Sequence, residues 1–168
     1  MQRPILATQS DYGTADGRAA ALSGNILKIA PEADIYSVLD LYPEGDALNA
    51  GGMIYSVLPF FPEGTVYVSV VEDHTNPSRA VAIKTKCGRY IVAPDNGTVT
   101  AWLNVFGAEK AVALDEGKVP AGIGTYADAN AIEENLLGIW QLIAGMTASF
   151  RKCGTFRSGA RRILPIKR

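Results

Sequence analysis

Two carboxylates flank a glycine in the segment Ser10-Asp11-Tyr12-Gly13-Thr14-Ala15-Asp16-Gly17. Carboxylates at such a turn suit hydroxyl or ammonium groups and repel phosphate, whereas a loop that cradles phosphate carries more glycines and a lysine. The residue types leave two interpretations of Asp11 and Asp16. They form a polar clamp for a sugar diol or an amino group, or they are a turn carboxylate and a helix cap.

A second polar segment, residues 72–79, follows the strongest strand pattern of the chain and has the sequence Glu-Asp-His-Thr-Asn-Pro-Ser-Arg. Glu72 and Arg79 stand seven residues apart across a tight loop, so their side chains can face each other. Such a pair could hold and polarise a water molecule, or form a structural ion pair, and a solvated polar loop is the remaining interpretation. His74 is a weak signal by itself, because a lone loop histidine is more often just exposed.

A third polar segment, Pro94-Asp95-Asn96-Gly97, has the composition of a turn. The chain has no serine nucleophile elbow, no zinc-ligand spacing and no dinucleotide fingerprint. We therefore expect neither a metal nor a cofactor.

Strand and helix patterns alternate along the chain, and such β-α-β units predict a three-layer α/β/α sandwich with a mostly parallel sheet. The turn at residues 10–17 follows the first strand, where ligands bind in open α/β sheets. Asp16 is predicted to cap the first helix, and Gly51-Gly52 to let the second helix pack closely on the sheet. The predicted elements are strands at 4–9, 34–39, 65–71 and 110–114, a hairpin of 79–85 with 89–93, and helices at 17–29, 46–60, 98–106 and 129–145.

The composition does not indicate a particular class of binding partner. With 16 basic and 17 acidic residues the chain has balanced charge, so nothing overall indicates a nucleic acid or an acidic membrane surface as partner. No apolar run reaches the roughly 18 residues of a membrane span. The N-terminus lacks a secretory signal pattern, and the two cysteines, Cys87 and Cys153, fit a reducing compartment. We expect a cytoplasmic protein.

The 168 residues are enough for one domain with a substantial core, and we assign that domain to residues 1–150. Residues 151–168 hold seven Lys or Arg and no acid. We interpret them as a disordered basic tail. A nucleic-acid arm and a shifted reading frame at a truncated end are the alternatives.

Taken together, five segments resemble the S-adenosyl-L-methionine hydrolases (the SAM hydroxide adenosyltransferases), whose relatives include fluorinating and chlorinating enzymes. The resemblance is close from residue 3 to about residue 115 and looser to about residue 147, and it covers the N-terminal domain of the family. The matching segments are 10–16, 40–46, 60–66, 70–79 and 93–97.

The resemblance implies hydrolysis of S-adenosyl-L-methionine to adenosine and L-methionine, by attack of water or hydroxide at the ribose C5′ carbon. It implies that Asp11 holds the ribose hydroxyls and that Asp16 lies near the methionine amino group. Glu72 and Arg79 would orient the attacking water as the catalytic residues. The other substrate-binding residues that it implies are Tyr12, Thr14, Thr75, Asn96 and Tyr126.

Three departures from the family accompany these matches. Glu72 is one methylene longer than the family's aspartate, and the histidine expected beside Tyr126 is absent, with His74 as a conceivable substitute. We also expect this chain to lack the β-rich C-terminal domain of the family, which completes the substrate site in the family's homotrimers. Either the chain is a fragment, or another chain completes the site, or the activity is lost.

These departures keep two other functions open. The first alternative is a catalytically impaired relative that binds a nucleoside or serves as a scaffold. The second is a halide-using adenosyl transferase, because Thr75 falls where the fluorinating relatives carry a halide-contacting threonine.

Overall fold

The computed structural model describes residues 3–15, 17–73, 75 and 78–113. Asp16, His74, Tyr126, the predicted helix at 129–145 and the basic tail at 151–168 lie outside the described residues. The strands are β1 (Ile5–Ser10), β2 (Asp34–Leu39), β3 (Val66–Val70), β4 (Ala80–Thr85), β5 (Tyr90–Pro94) and β6 (Ala108–Ala113). The helices are α1 (Arg18–Ile29), α2 (Ala47–Val57) and α3 (Thr100–Phe106), and a 3₁₀ turn at Leu58–Phe60 continues α2.

The six strands form one sheet in the order β2-β1-β3-β5-β4-β6. β1 pairs in parallel with β2 and β3, and β3 pairs in parallel with β5. The predicted α/β fold is confirmed, but the sheet is mixed, because β4 runs antiparallel to both β5 and β6. The carboxyl ends of β1, β2, β3 and β5 therefore lie at one edge of the sheet, and β4 begins there.

Apolar residues cover both faces of the sheet, because successive side chains of a strand point to opposite sides. On one face, Leu6 and Val68 pack with Leu22 and Ile26 of α1, which are four residues apart and so share one side of that helix. On the other face, the core is formed by Ala7, Tyr67, Ile91, Ile54 of α2 and Trp102 of α3. The helices thus form two outer layers, as the sequence predicts.

The start of α1 differs from the prediction. Its N-cap is Gly17, whose φ of 78° is left-handed, and no side-chain hydrogen bond caps the helix. A glycine adopts this backbone without steric cost, so the helix begins one residue later than a cap at Asp16 requires. In contrast, α2 has an aspartate cap, since Asp46 accepts a hydrogen bond from the Asn49 amide at 3.2 Å.

The two glycines of α2 have different surroundings. A Cβ atom on Gly51 would lie 2.5 Å from the carbonyl oxygen of Thr98, whereas one on Gly52 would have no atom within 4 Å. Gly51 therefore allows a close approach of α2 to the segment that leads into α3, and not to the sheet as predicted. Gly52 makes no such close contact. None of the helices in the described ranges is long and apolar enough to cross a membrane.

Candidate functional site

The loops that follow β1, β2 and β3 meet at the carboxylate of Asp11. Asp11 Oδ2 accepts hydrogen bonds from the backbone amides of Gly45 and Glu72, both at 3.1 Å. The Asp11 amide itself donates to the carbonyl of Val70 at 3.2 Å. One carboxylate thus connects the β1–α1 loop (residues 11–17), the β2–α2 loop (residues 40–46) and the β3–β4 loop (residues 71–79).

Glycine at position 45 makes this arrangement sterically feasible. Gly45 has a φ of +72°, and a Cβ atom there would lie 3.3 Å from the backbone nitrogen of Asp73. A left-handed backbone and a close neighbour together exclude most side chains. The β2–α2 loop can therefore approach the β3–β4 loop closely enough for both amides to reach the same carboxylate oxygen.

A second carboxylate, Asp40, fixes the β1–α1 loop from the other side. Ser10 donates to Asp40 Oδ1 at 2.6 Å and Ser37 donates to Asp40 Oδ2. The Asp40 carbonyl accepts from the Gly13 amide at 2.7 Å. Asp40 was not among the predicted site residues, although an acid directly after a strand, with serines near the ends of two strands, indicates a polar contact at that edge.

The predicted catalytic residues contact different partners. The Glu72 side chain is only 2% exposed, and its Oε2 accepts from the Ser78 amide at 3.0 Å. The Arg79 guanidinium donates to Asp95 Oδ2 through Nε at 2.9 Å and Nη2 at 2.7 Å. Among the described contacts, the ion pair of Arg79 is therefore with Asp95, and the roles of Glu72 and Arg79 in catalysis stay predictions.

The sheet order explains this partner of Arg79. β5 lies between β3 and β4, so the β3–β4 loop must cross the carboxyl end of β5, where Asp95 and Asn96 follow. Asn96 Nδ2 donates to the carbonyl of Val71 at 2.9 Å. Asn96 Oδ1 accepts from the amide and the hydroxyl of Thr98. The turn after β5 thus supports the β3–β4 loop at both of its ends.

The remaining predicted binding residues have unequal positions. The Tyr12 side chain is 3% exposed and belongs to the core under α1, with the Arg18 guanidinium 5.2 Å from its ring centre. Thr14 and Thr75 are exposed. Thr75 donates through its amide and its hydroxyl to Asp73 Oδ1 at 2.9 and 2.6 Å. The roles of these residues in substrate binding stay predictions.

The described ranges contain no group of three or more His, Cys, Asp or Glu residues that could hold a metal ion. The loops instead present carboxylates, hydroxyls and amides, which are groups suited to a polar organic ligand.

The fold and the loops that meet at Asp11 define a class of protein. It is an α/β protein whose candidate ligand loops follow the carboxyl ends of its parallel strands. Residues 6–131 match the family described as the SAM hydroxide adenosyltransferase N-terminal domain, and the chain belongs to that family. The resemblance that the sequence motifs indicate is thereby confirmed.

Curated relatives of this chain include two proteins named (R)-S-adenosyl-L-methionine hydrolase. The protein from Salinispora arenicola is 32% identical over 94 residues, which is 56% of this chain and 36% of the relative. The protein from Methanocaldococcus jannaschii is 28% identical over 116 residues, which is 67% of this chain and 44% of the relative. The matched region thus spans less than half the length of either relative.

Two solved structures share the fold. An uncharacterized conserved protein from Thermotoga maritima aligns with a TM-score of 0.73 at 22% identity, covering 83% of this chain and 54% of that chain. A conserved hypothetical protein from Thermus thermophilus aligns with a TM-score of 0.61 at 27% identity, covering 82% of this chain and 54% of that chain.

Proposed function

We propose that this chain hydrolyses S-adenosyl-L-methionine to adenosine and L-methionine. Membership of the family and the names of the curated relatives support this activity. The structural observation that carries the proposal is the position of Asp11. Its carboxylate lies where three loops meet at the carboxyl edge of the sheet, which is where a ribose would be bound.

The proposed reaction is a displacement at the ribose C5′ carbon. The C5′–S bond breaks, and its electron pair leaves with sulfur as the neutral thioether of methionine. A C5′–O bond forms from water, and one water proton is released to solvent. A sulfonium is already a good leaving group. The protein therefore has mainly to position the attacking water and to exclude other solvent molecules from around it.

The roles follow from the contacts of the loops. Asp11 binds the ribose hydroxyls, and the backbone amides that hold its Oδ2 fix its orientation. Glu72 lies next to Asp11 at this edge, since its amide donates to the Asp11 carboxylate, and it is buried. We infer that Glu72 orients the attacking water together with Arg79, which Asp95 holds in place. A cytoplasmic homotrimer remains part of this proposal.

An isotope experiment tests the reaction. The protein is incubated with S-adenosyl-L-methionine in H₂¹⁸O, with and without chloride, and the products are identified by mass spectrometry. We expect methionine together with adenosine that carries one ¹⁸O atom at its 5′ hydroxyl, and no effect of chloride. A folded protein that forms neither product contradicts hydrolysis, and a halogenated nucleoside would support a halide-using transferase instead.

The Arg79–Asp95 pair favours one alternative, a relative that binds a nucleoside without turnover. Asp95 neutralises the guanidinium that would otherwise help to polarise water, and the Arg79 side chain is 53% exposed. In this alternative the pair is structural, and Asp11 would still bind a ribose. The isotope experiment separates the two functions, because only hydrolysis forms adenosine and methionine.

If the protein turns over the substrate, the substitution Asp95→Asn tests whether the Arg79–Asp95 pair contributes to the rate. If Asp95 positions Arg79 for catalysis, kcat should fall roughly 10-fold, since a misplacement of 1 Å costs on the order of 100-fold. The affinity for adenosine should not change. Glu109→Gln is the matched control, because it removes the charge partner of Lys84 in another exposed pair, at 2.8 Å. Both variants should keep the free energy of unfolding within about 1 kcal/mol of the wild type. A kcat of Asp95→Asn equal to that of Glu109→Gln would contradict a catalytic role of the Arg79–Asp95 pair.

A further inference from the structure

A buried glutamine links the sheet to the loops of the candidate site. Gln9 lies in β1 and is fully buried. Its Nε2 donates to the carbonyl of Ala50 at 3.1 Å and to Ser69 Oγ at 2.9 Å. Its Oε1 accepts from the hydroxyls of Tyr42 at 3.0 Å and Tyr67 at 2.9 Å. Both donor hydrogens and both acceptor lone pairs of the amide are therefore used.

The four partners of Gln9 come from three parts of the fold. Ser69 and Tyr67 lie on β3 and Ala50 lies in α2, so these three are already fixed by regular secondary structure. Tyr42 lies in the β2–α2 loop. Three residues further along that loop, the Gly45 amide donates to the Asp11 carboxylate. Of the four contacts, the one from Tyr42 is thus the one that ties a site loop to the sheet.

We propose that Gln9 and Tyr42 are positioning residues of the substrate site. Gln9 accepts a hydrogen bond from the Tyr42 hydroxyl and so fixes the β2–α2 loop. In that position of the loop, the Gly45 amide can donate to the Asp11 carboxylate. The consequence for substrate affinity rests on the proposed function. The consequence for the Gly45 amide depends on the structure alone.

The protonation state of the tyrosines suits this role. Burial raises the pKa of Tyr42 to about 12, and the carboxylates of Asp46 and Asp40 add to the effect. Burial also raises the pKa of Tyr67, and Tyr42 contributes to that rise. Both hydroxyls therefore stay protonated near neutral pH and continue to donate to Gln9. A glutamate at position 9 would instead bring a buried charge into the sheet.

Two tyrosine substitutions provide a matched test. Tyr42→Phe and Tyr67→Phe each remove one hydroxyl that donates to the same oxygen of Gln9, and each retains its ring. Tyr67 is held between β1 and β5 by strand pairing, whereas Tyr42 is in a loop. Both variants should fold and should lose similar thermal stability. The difference should appear at the Gly45 amide and in the kinetics.

The Gly45 amide is followed by hydrogen exchange and S-adenosyl-L-methionine turnover by steady-state kinetics, both on the full 168-residue chain. In Tyr42→Phe we expect Gly45 to exchange about 10-fold faster, the effect of losing one hydrogen bond. KM should rise by a similar factor, with kcat changed less. In Tyr67→Phe both quantities should stay within about 2-fold of the wild type.

The outcomes separate the two proposals. Equal acceleration of Gly45 exchange in both variants, or acceleration in neither, overturns the positioning role whatever the kinetics show. A wild-type protein that does not turn over the substrate overturns the proposed function, while the exchange comparison still decides the role of Tyr42. Selective acceleration with an unchanged KM would show that the loop is held by Gln9 but that its position does not govern substrate binding, which also contradicts the proposal.

Discussion

Replacing Asp11 with asparagine is expected to weaken adenosine binding by roughly 10-fold to 100-fold while leaving the fold intact. A hydrogen bond to a charged group contributes about 1.5–3 kcal/mol, and each 1.4 kcal/mol is about tenfold in affinity. Asparagine retains one oxygen that can accept from the amides of Gly45 and Glu72. Calorimetry with adenosine measures the affinity, and thermal unfolding checks the fold.

Two further variants complete this experiment. Asp11→Ala removes both amide contacts, so it should also lose about 1–3 kcal/mol of stability. Asp34→Asn is the control for charge, because Asp34 pairs with Arg3 at 2.9 Å at the start of β2, the end opposite the site. Its adenosine affinity should match the wild type. An unchanged affinity in Asp11→Asn would rule out the ribose clamp, and with it the observation on which the proposed function depends.

The second large effect is expected from Gly51→Ala, which should destabilise the protein by about 1–3 kcal/mol. The added methyl would lie 2.5 Å from the carbonyl oxygen of Thr98, so the helix or that segment must move. Gly52→Ala is the matched control on the next residue of α2, where the methyl meets nothing within 4 Å. It should stabilise the protein by about 1 kcal/mol, because alanine favours helix more than glycine does.

Denaturant unfolding of the two variants measures the difference in the free energy of unfolding. A displaced Thr98 would also disturb Asn96, which accepts from its amide and hydroxyl and supports Val71 next to Glu72. We therefore expect Gly51→Ala to bind adenosine more weakly than Gly52→Ala. If both variants had the same stability, the close approach of α2 to Thr98 would be wrong.

Much of the fold could be predicted because local patterns determine it. The strand predicted at 34–39 has those bounds, and the apolar run at 65–71 forms β3 at Val66–Val70, buried between parallel neighbours. The hairpin of β4 and β5 also follows the prediction. In each case the alternation or the continuous run of apolar residues identifies the element without tertiary information.

The partner of Arg79 could not be predicted, because it depends on the order of strands in the sheet. Sequence spacing places Arg79 across a loop from Glu72, and it indicates a hairpin for the two following strands. It does not show which strand of that hairpin lies next to β3. Since β5 lies between β3 and β4, the β3–β4 loop passes over the end of β5. The Arg79 guanidinium therefore contacts the Asp95 carboxylate.

The roles of Asp40 and Gln9 were also missed, because they depend on which residues of neighbouring strands lie side by side. The Asp40 carboxylate is held by serines of β1 and β2, which become neighbours only when the strands pair. Gln9 lies within the buried strand β1, and its partners come from β3, α2 and the β2–α2 loop. A polar residue inside a strand pattern signals a buried contact, but the pattern cannot name the partners.

The passage of the β3–β4 loop over β5 has a consequence for how this protein can diversify. Two strand spacings separate β3 from β4, about 10 Å, and the nine residues from 71 to 79 can span roughly 30 Å when extended. The connection is therefore much longer than the sheet requires, and described contacts to Asp11 and Asp95 fix it near its two ends. We therefore expect small insertions between those two anchors to be tolerated without a change in the order or the pairing of the strands.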